Sequence, residues 1–546
     1  MALVRHADLL VVHSTSSRWV TTCEQDDVLV VLDGRVHNLP EQERAQARQL
    51  VERYRQVGDQ LAAGLLGDFV IVVLDRAART LLVARDPVGA RPWYVTESSR
   101  GCTGATDLAS LIDLPGVDAS IDEAAAIAHL GAVFRSRGAT LYRGVRTLRP
   151  GHTWVRRDGR ARTFAHHQWR LAPAVEVSWD DAARRCRGAL DIAVRCRLDP
   201  DAPATSELSG GLDSSAVVGT LAQLGGRHLV AGRLVFAGPA ADERTYSQSV
   251  ADLWGIPLVS ADPWMPTIQE SAEITAALRR PLPDPHFTMF GGLHRALLAD
   301  GRPHCLTGLG GDDAFAPVSA GGRVVSAIQL RRWPILRQLF GAGLRHPRRA
   351  WPELLRPTLH HVAPRRGNLP GWVRKDVAAR AGLADLVHER PEPVTGIAAV
   401  DERLDNLTGG YVAEILELGA IVADLTGHRS THPFLDPRFI LATYGLDPWW
   451  PTRDGATRAL QVAAFADRMP RLVAERRSKA QFAEVFWPTL LQDDVVDSVR
   501  RGPLNDLGWL DDQGFDDLIG RAHRGMANAA IPLARCVSVD QWLRSL

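Results

Sequence analysis

The sequence predicts two domains: an N-terminal α+β domain over residues 1–171, and a C-terminal α/β domain over 172–546 with helical additions to a parallel sheet. Three observations carry this. At 546 residues the chain exceeds what one hydrophobic core supports, since domains run to about 100–200 residues. Up to Trp169, β-rich runs are separated by turn signals. From Thr205 onward, strand-like runs alternate with glycine-rich turns and helical stretches, the order of a parallel sheet covered by helices.

In the first domain Val28–Leu32 (VLVVL) reads as a strand and Asp33-Gly34 as the turn that stops it. Glu41–Gln56 carries a helical stripe. Phe69–Leu74 and Thr80–Ala84 flank the polar Asp75–Arg79, which predicts a hairpin. Thr147–Trp154 and Arg157–Phe164 predict a second one around Asp158-Gly159. Ser178–Arg197 reads as a long amphipathic helix, with Ser178 placed to cap it and Asp180 and Asp181 in its first turn. Arg323–Arg366, rich in Arg, Trp and Pro, reads as a helical insertion, and the tail from about 440 as helices without a repeat.

Composition narrows the function. The chain is 45% hydrophobic and 23% charged with a net charge of +1, so no overall field recruits nucleic acid or an anionic membrane. No run of about 18 apolar residues offers a membrane span, and no start-of-chain segment has the make-up of a secretory signal. Six cysteines (Cys23, Cys102, Cys186, Cys196, Cys305, Cys536) are scattered without a CxxC pair. That pattern opposes a structural zinc site, a disulfide framework and a sulfur relay, and the expected compartment is the cytoplasm. Only Lys375 and Lys479 among the 64 basic residues are lysines. A chain so poor in Lys is expected to keep one where a compact ammonium is needed and a planar guanidinium will not serve.

The sharpest signal is Ser206–Gly219 (SELSGGLDSSAVVG), with Ser214–Leu224 as a helix. Gly210 and Gly211 let the backbone turn tightly and approach an anion without a Cβ clash. The amides of Ser209–Ser215, Leu212 included, then point at phosphate where the helix dipole favours negative charge. Ser209, Ser214 and Ser215 add hydroxyls. Asp213 beside a phosphate requires a bridging Mg²⁺. The motif is not a Walker loop, since GxxxxGK[ST] is missing. A second glycine-rich, acidic turn, Thr307–Phe315 (TGLGGDDAF), follows the strand-like Pro303–Leu306. Its Gly310 and Gly311 give the flexibility, and Asp312 is expected to share the metal with Asp213, because loops at strand C-termini converge on one crevice. Lys479, near the start of a helix, is placed to stabilise developing phosphate charge.

These motifs resemble the asparagine synthetase family over nearly the whole chain. The SGGLDSS loop resembles that family's pyrophosphate loop, and Val235-Phe236 with Asp242-Glu243 resembles the stretch after it. Thr307–Asp313 is similar to its GEGxDE element with Asp313 in place of Glu, Pro433–Asp436 to its PFLD, and Lys479 to its catalytic lysine. Gly67–Leu74 and Ala84–Tyr94 resemble the class II glutamine amidotransferase pattern, and Thr140–Gly151 with Trp169 its end. The resemblance implies an N-terminal Ntn-hydrolase-like β-sandwich of inactive glutaminase type and a C-terminal ATP pyrophosphatase domain of the adenine nucleotide alpha hydrolase-like class. It implies ATP and Mg²⁺ as cofactors.

Two departures refine the expectation. Ala2 follows Met1 where a glutaminase of this class exposes a nucleophilic Cys, and the glutamine-binding NGEIYN appears as Asp33–Asn38 with Arg35 in place of the acid. Arg429 stands where the family places a Glu before PFLD. The amine is therefore expected to come from the substrate itself. Leu369–Trp372, Ala378–Leu383 and the Arg/Trp-rich insertion resemble lasso-peptide macrocyclases. The function so implied is ATP-dependent isopeptide formation within a precursor peptide, with a leader peptidase and a peptide-recognition protein as partners. Closure of a β-lactam or ammonia-dependent asparagine formation is the alternative, and an RNA-modifying pyrophosphatase the alternative of another class.

Overall fold

The computed structural model describes the chain apart from residues 1–2, 7–8, 13–18, 40–42, 99–100, 134–137, 174–175, 200–201, 283, 338–368, 389–393, 451–456, 477–479 and 481. Met1, Ala2, Lys479 and residues 338–366 of the insertion thus lie outside the described residues.

Eleven described strands precede residue 172: β1 (Leu3–His6), β2 (Leu9–Val12), β3 (Val20–Gln25), β4 (Val28–Val36), β5 (Gly67–Asp75), β6 (Thr80–Arg85), β7 (Tyr94–Ser98), β8 (Gly101–Ala105), β9 (Arg146–Thr147), β10 (His152–Arg157) and β11 (Arg160–Ala165). They form a six-stranded sheet, β11-β10-β6-β5-β4-β3, and a five-stranded sheet, β1-β2-β8-β7-β9. Leu29, Val31, Val70, Val72 and Trp154 meet Cys102 of the second sheet and Trp93, the residue before β7. The alternate residues Val30, Leu32 and Ile71 pack on Leu50, Val51 and Tyr54 of α1 (Glu43–Val57). Burial of both faces explains why these strands read as unbroken apolar runs rather than as alternation.

Both hairpins form. β5 and β6 pair through Asp75 and Thr80, and β10 and β11 close on Asp158 and Gly159, whose φ values of 47° and 78° suit a two-residue turn. The second hairpin is shorter than expected, because Arg146–Thr147 pairs with β7 in the other sheet. Asp33-Gly34 is not a turn: β4 runs through it to Val36. Gly34 has φ +113° opposite Phe69, and a Cβ there would collide with the Asp68 carbonyl. The glycine permits close strand approach instead of chain reversal.

The C-terminal sheet is wholly parallel, with β12 (Thr205–Glu207), β13 (Val230–Leu234), β14 (Leu258–Ala261), β15 (His304–Leu306) and β16 (Arg429–Thr431) in the order β14-β13-β12-β15-β16. Helix α2 (Trp179–Arg195) begins as expected, the Ser178 hydroxyl accepting the Asp181 amide at 3.2 Å. It packs with α3 (Leu212–Gln223) over the face carrying Ala231 and Leu306. The opposite face, with Gly232 and Cys305, is covered by α4 (Phe290–Ala299), whose Leu293 would meet any side chain placed at Gly232. Beyond α5 (Gly311–Phe315), α6 (Tyr411–Thr426) lies against α4 and β16. The last helix, α7 (Ala530–Arg544), joins the two halves in one core, where Trp542 lies edge-on to Tyr142 and donates to its hydroxyl at 3.0 Å.

Substituting Gly34→Val forces a β-branched side chain into left-handed backbone against a carbonyl. A loss of about 1–3 kcal/mol or more is expected in denaturant unfolding, whereas Gly159→Ala, in open space, should cost less.

Candidate functional site

The first loop leaves the middle strand of the parallel sheet. Gly210 has φ +82°, and a Cβ there would sit 2.5 Å from the Ser247 amide nitrogen, so a larger residue does not fit. Helix α3 starts at Leu212 with Gly211 as its N-cap and no side chain capping it, which leaves its first amides for an external anion. Ser209 and Ser214 hydroxyls bond each other at 3.1 Å, and Ser209 Oγ also accepts from the Gly211 amide at 3.2 Å. Ser215, expected to face phosphate, is fully buried.

The second loop packs directly on the first. A Cβ on Gly308 would lie 2.7 Å from the Ser214 nitrogen, and one on Gly311 would collide with the Asp213 carboxylate. Gly310 takes φ +93° ahead of α5. The topology thus brings Asp213 and Asp312 together, as the sequence predicts. Between them lies a residue the sequence did not single out. Arg458 Nη1 donates to both Asp213 oxygens at 2.7 and 2.9 Å, and its Nη2 pairs with Asp312. Gln461 adds a bond to Asp213 at 2.6 Å. Asp213 and Asp312 are the carboxylates able to hold a divalent cation here, and Arg458 supplies the opposing charge. Asp313 turns inward, and burial, with Asp213 nearby, pushes its carboxyl up to about 6.

A cavity of about 290 Å³ extends from these loops into the protein. Ser209, Asp213, Ser214, Phe236, Thr307 and Gly308 line its near end. Phe236 stands against Phe482 with ring centres 5.1 Å apart. Val235 is not on the wall, its amide being bonded to Ala261 at 2.9 Å. Phe287, Met289, Phe290 and Leu293 form one apolar side, and Ile415, Leu416 and Val422 of α6 another. Asp68, Ala90, Arg91 and Arg429 line the part that reaches the N-terminal sheets.

Arg429 is buried beside Arg91, and Asp33 stands 2.9 Å from Arg91 and 3.5 Å from Arg429. Burial first, and Arg91 second, push the Arg429 guanidinium down to about 10. The stretch resembling a glutamine-binding segment is tied to the protein's own groups, with Arg35 half-buried and Asn38 exposed. Arg35 donates to the Leu198 carbonyl at 3.5 Å, and Asn38 bonds the Gly64 carbonyl and the Leu66 amide, each at 2.9 Å. Asp68 meets Arg197 at 3.2 Å and His37 at 3.7 Å. Asp436 of the PFLD stretch receives Arg197 at 2.7 Å and Arg438 at 2.8 Å. Against the penalty of burial, these two guanidiniums hold its carboxyl well below the usual range.

Residues 185–544 match the asparagine synthase family model, and residues 24–169 that of a glutamine amidotransferase domain. The chain belongs to the asparagine synthase family. It is similar to the glutamine-hydrolyzing asparagine synthetase 3 of Bacillus subtilis, 25% identical over 236 residues that cover 39% of this chain and 37% of that one. Amidase chry2 of Gibberella zeae is 27% identical over 292 residues, covering 50% and 43%. A putative asparagine synthetase of Mycobacterium tuberculosis is 27% identical over 220 residues, covering 37% and 34%. The matched stretch spans less than half the length of each of these relatives.

Arg458→Ala removes the cation between the two carboxylates. Without nucleotide, Mg²⁺ should then raise the melting temperature of the variant by several degrees and leave the unaltered protein unmoved, as differential scanning fluorimetry would show. No Mg²⁺ response in the variant would remove Asp213 and Asp312 as a metal pair.

Proposed function

We propose that this protein is an ATP-dependent carbon–nitrogen ligase that adenylates an Asp or Glu side-chain carboxylate of a precursor peptide and joins it to the peptide's N-terminal amine. The free amides at the start of α3 receive the phosphates. Mg²⁺ bound by Asp213 and Asp312 would neutralise phosphate charge. Arg458, displaced from those carboxylates, then has its guanidinium free to face the phosphates. The substrate carboxylate attacks the α-phosphorus, giving an acyl-adenylate and pyrophosphate, and Lys479 is assigned to the charge that develops there. The amine then displaces AMP and forms the isopeptide bond. Holding both ends of one peptide in the cavity supplies proximity, and its apolar walls keep water from the adenylate.

The observation that carries this reading is the cavity itself, continuous from the nucleotide loops and walled by Phe, Met, Leu and Ile side chains. Free aspartate would find charged partners such as Arg91 and Arg429 but gains nothing from the apolar sides, whereas a peptide can place apolar side chains against them. The bonding of Arg35, His37, Asn38 and Asp68 to the protein's own groups supports an amine that does not come from glutamine. A peptidase and a peptide-recognition protein would deliver the leader-free precursor. The second reading, asparagine formation from ammonia, is favoured by the names of the asparagine synthetases among the relatives.

Incubation with ATP, Mg²⁺ and linear peptides bearing one internal Asp or Glu should yield a product lighter by one water, together with AMP. Mass spectrometry decides between the readings: turnover of aspartate with ammonia and of no peptide would establish the second.

A further inference from the structure

Among the described residues four carboxylates line the cavity: Asp68, Glu207, Asp213 and Glu243. Three face a guanidinium, Asp68 that of Arg197 at 3.2 Å, Asp213 that of Arg458 at 2.7 Å and Glu243 that of Arg476 at 2.6 Å. Glu207 faces an imidazole instead, with His294 Nε2 3.4 Å from its Oε1. Glu207 ends β12, two residues before Ser209, so it stands at the base of the nucleotide loop. His294 projects from α4, buried, with an Nδ1 that makes no hydrogen bond. The pair lines the cavity, and the unbonded Nδ1 of the buried His294 leaves one polar atom there without a partner.

We propose that Glu207 and His294 receive the substrate's protonated amine and accept its protons; this rests on the ligase reading above. Amide formation from an ammonium sheds two protons. One leaves before the nitrogen lone pair can attack the acyl carbon. The second leaves as the new C–N bond forms and the C–O bond to AMP breaks, AMP departing with that electron pair. A carboxylate and an imidazole in contact offer one acceptor for each proton. The surroundings suit the task. His428 stacks on His294 with centres 4.5 Å apart, Cys305 Sγ lies 3.9 Å from Glu207, and Ser430 Oγ lies 3.4 Å from His294 Nε2. Burial pushes His428 down to about 2 and His432 to about 4, so neither places a positive charge against the incoming ammonium. Arg233, also on the wall, is turned to Ser260 at 2.9 Å.

The test compares Glu207→Gln and His294→Gln with the unaltered enzyme, using the peptide carboxylate that supports exchange of labelled pyrophosphate into ATP. Exchange should stay within about threefold, while amide formation falls about 100-fold or more and the acid limb of its pH–rate profile flattens. Hydroxylamine, an amine already neutral near pH 7, should restore acyl transfer in both variants as the hydroxamate. Unchanged amide formation and an unchanged pH profile in both variants would overturn the assignment, and so would loss of exchange together with amide formation. An unaltered enzyme that exchanges no pyrophosphate with any carboxylate would overturn the ligase reading and the assignment with it. Normal exchange with unaffected variants would overturn the assignment alone.

Discussion

Asp213 and Asp312 are like charges on two loops whose backbones touch, and one guanidinium holds them there. Arg458 reaches both carboxylates from a segment more than a hundred residues beyond either. Two carboxylates in contact in a partly buried crevice repel strongly unless a cation lies between them. The glycines at 308 and 311 exist to allow that contact, since each would otherwise place a Cβ into the first loop. The site's geometry therefore depends on a cation's being present in every state, whether guanidinium or metal, with phosphate arriving as the complement.

The parallel sheet explains why the chemistry gathers where it does. Loops leaving β12, β13 and β15 open on one edge, and alternating residues of those strands divide between two differently used faces. Ala231 and Leu306 pack on α3, which must be rigid to present its amides. Gly232 and Cys305 turn to α4 and α6, where the cavity lies. A single register thus assigns structural packing to one side and ligand space to the other.

Much of this was legible in the sequence. Ser209–Ser215 and Thr307–Phe315 carry their signal in glycine and acid spacing, because turn geometry is local. The Ser178 cap, both hairpins and the parallel order were legible for the same reason. Asp33-Gly34 misled, since a glycine that permits strand contact has the same local spelling as one that reverses the chain. Arg458, Arg197 and the Glu207–His294 pair left no sequence signal. Their meaning comes from partners 87 to 245 residues away, and an arginine among so many reads as a solvated one. Among the lysines, the scarcity that marked Lys479 is informative only in the sequence, as its neighbourhood lies outside the described residues.

The charges at the junction of the two halves bear on how such a chain can evolve. Asp33 and Arg91 from the first sheets stand with Arg429, Asp68 with Arg197, and His37 with Asp436, all within a shared interior. Deleting the first half would take Asp68 from Arg197, Asp33 from Arg429 and His37 from Asp436, leaving Arg197 and Asp436 to each other and Arg429 without its Asp33 partner. It would also open one wall of the cavity, formed by Asp68, Ala90 and Arg91. Truncation therefore carries a cost to the second half even when the first half performs no reaction of its own. Selection acting on the second half alone would thus favour keeping the first, as a source of counter-ions and of one cavity wall.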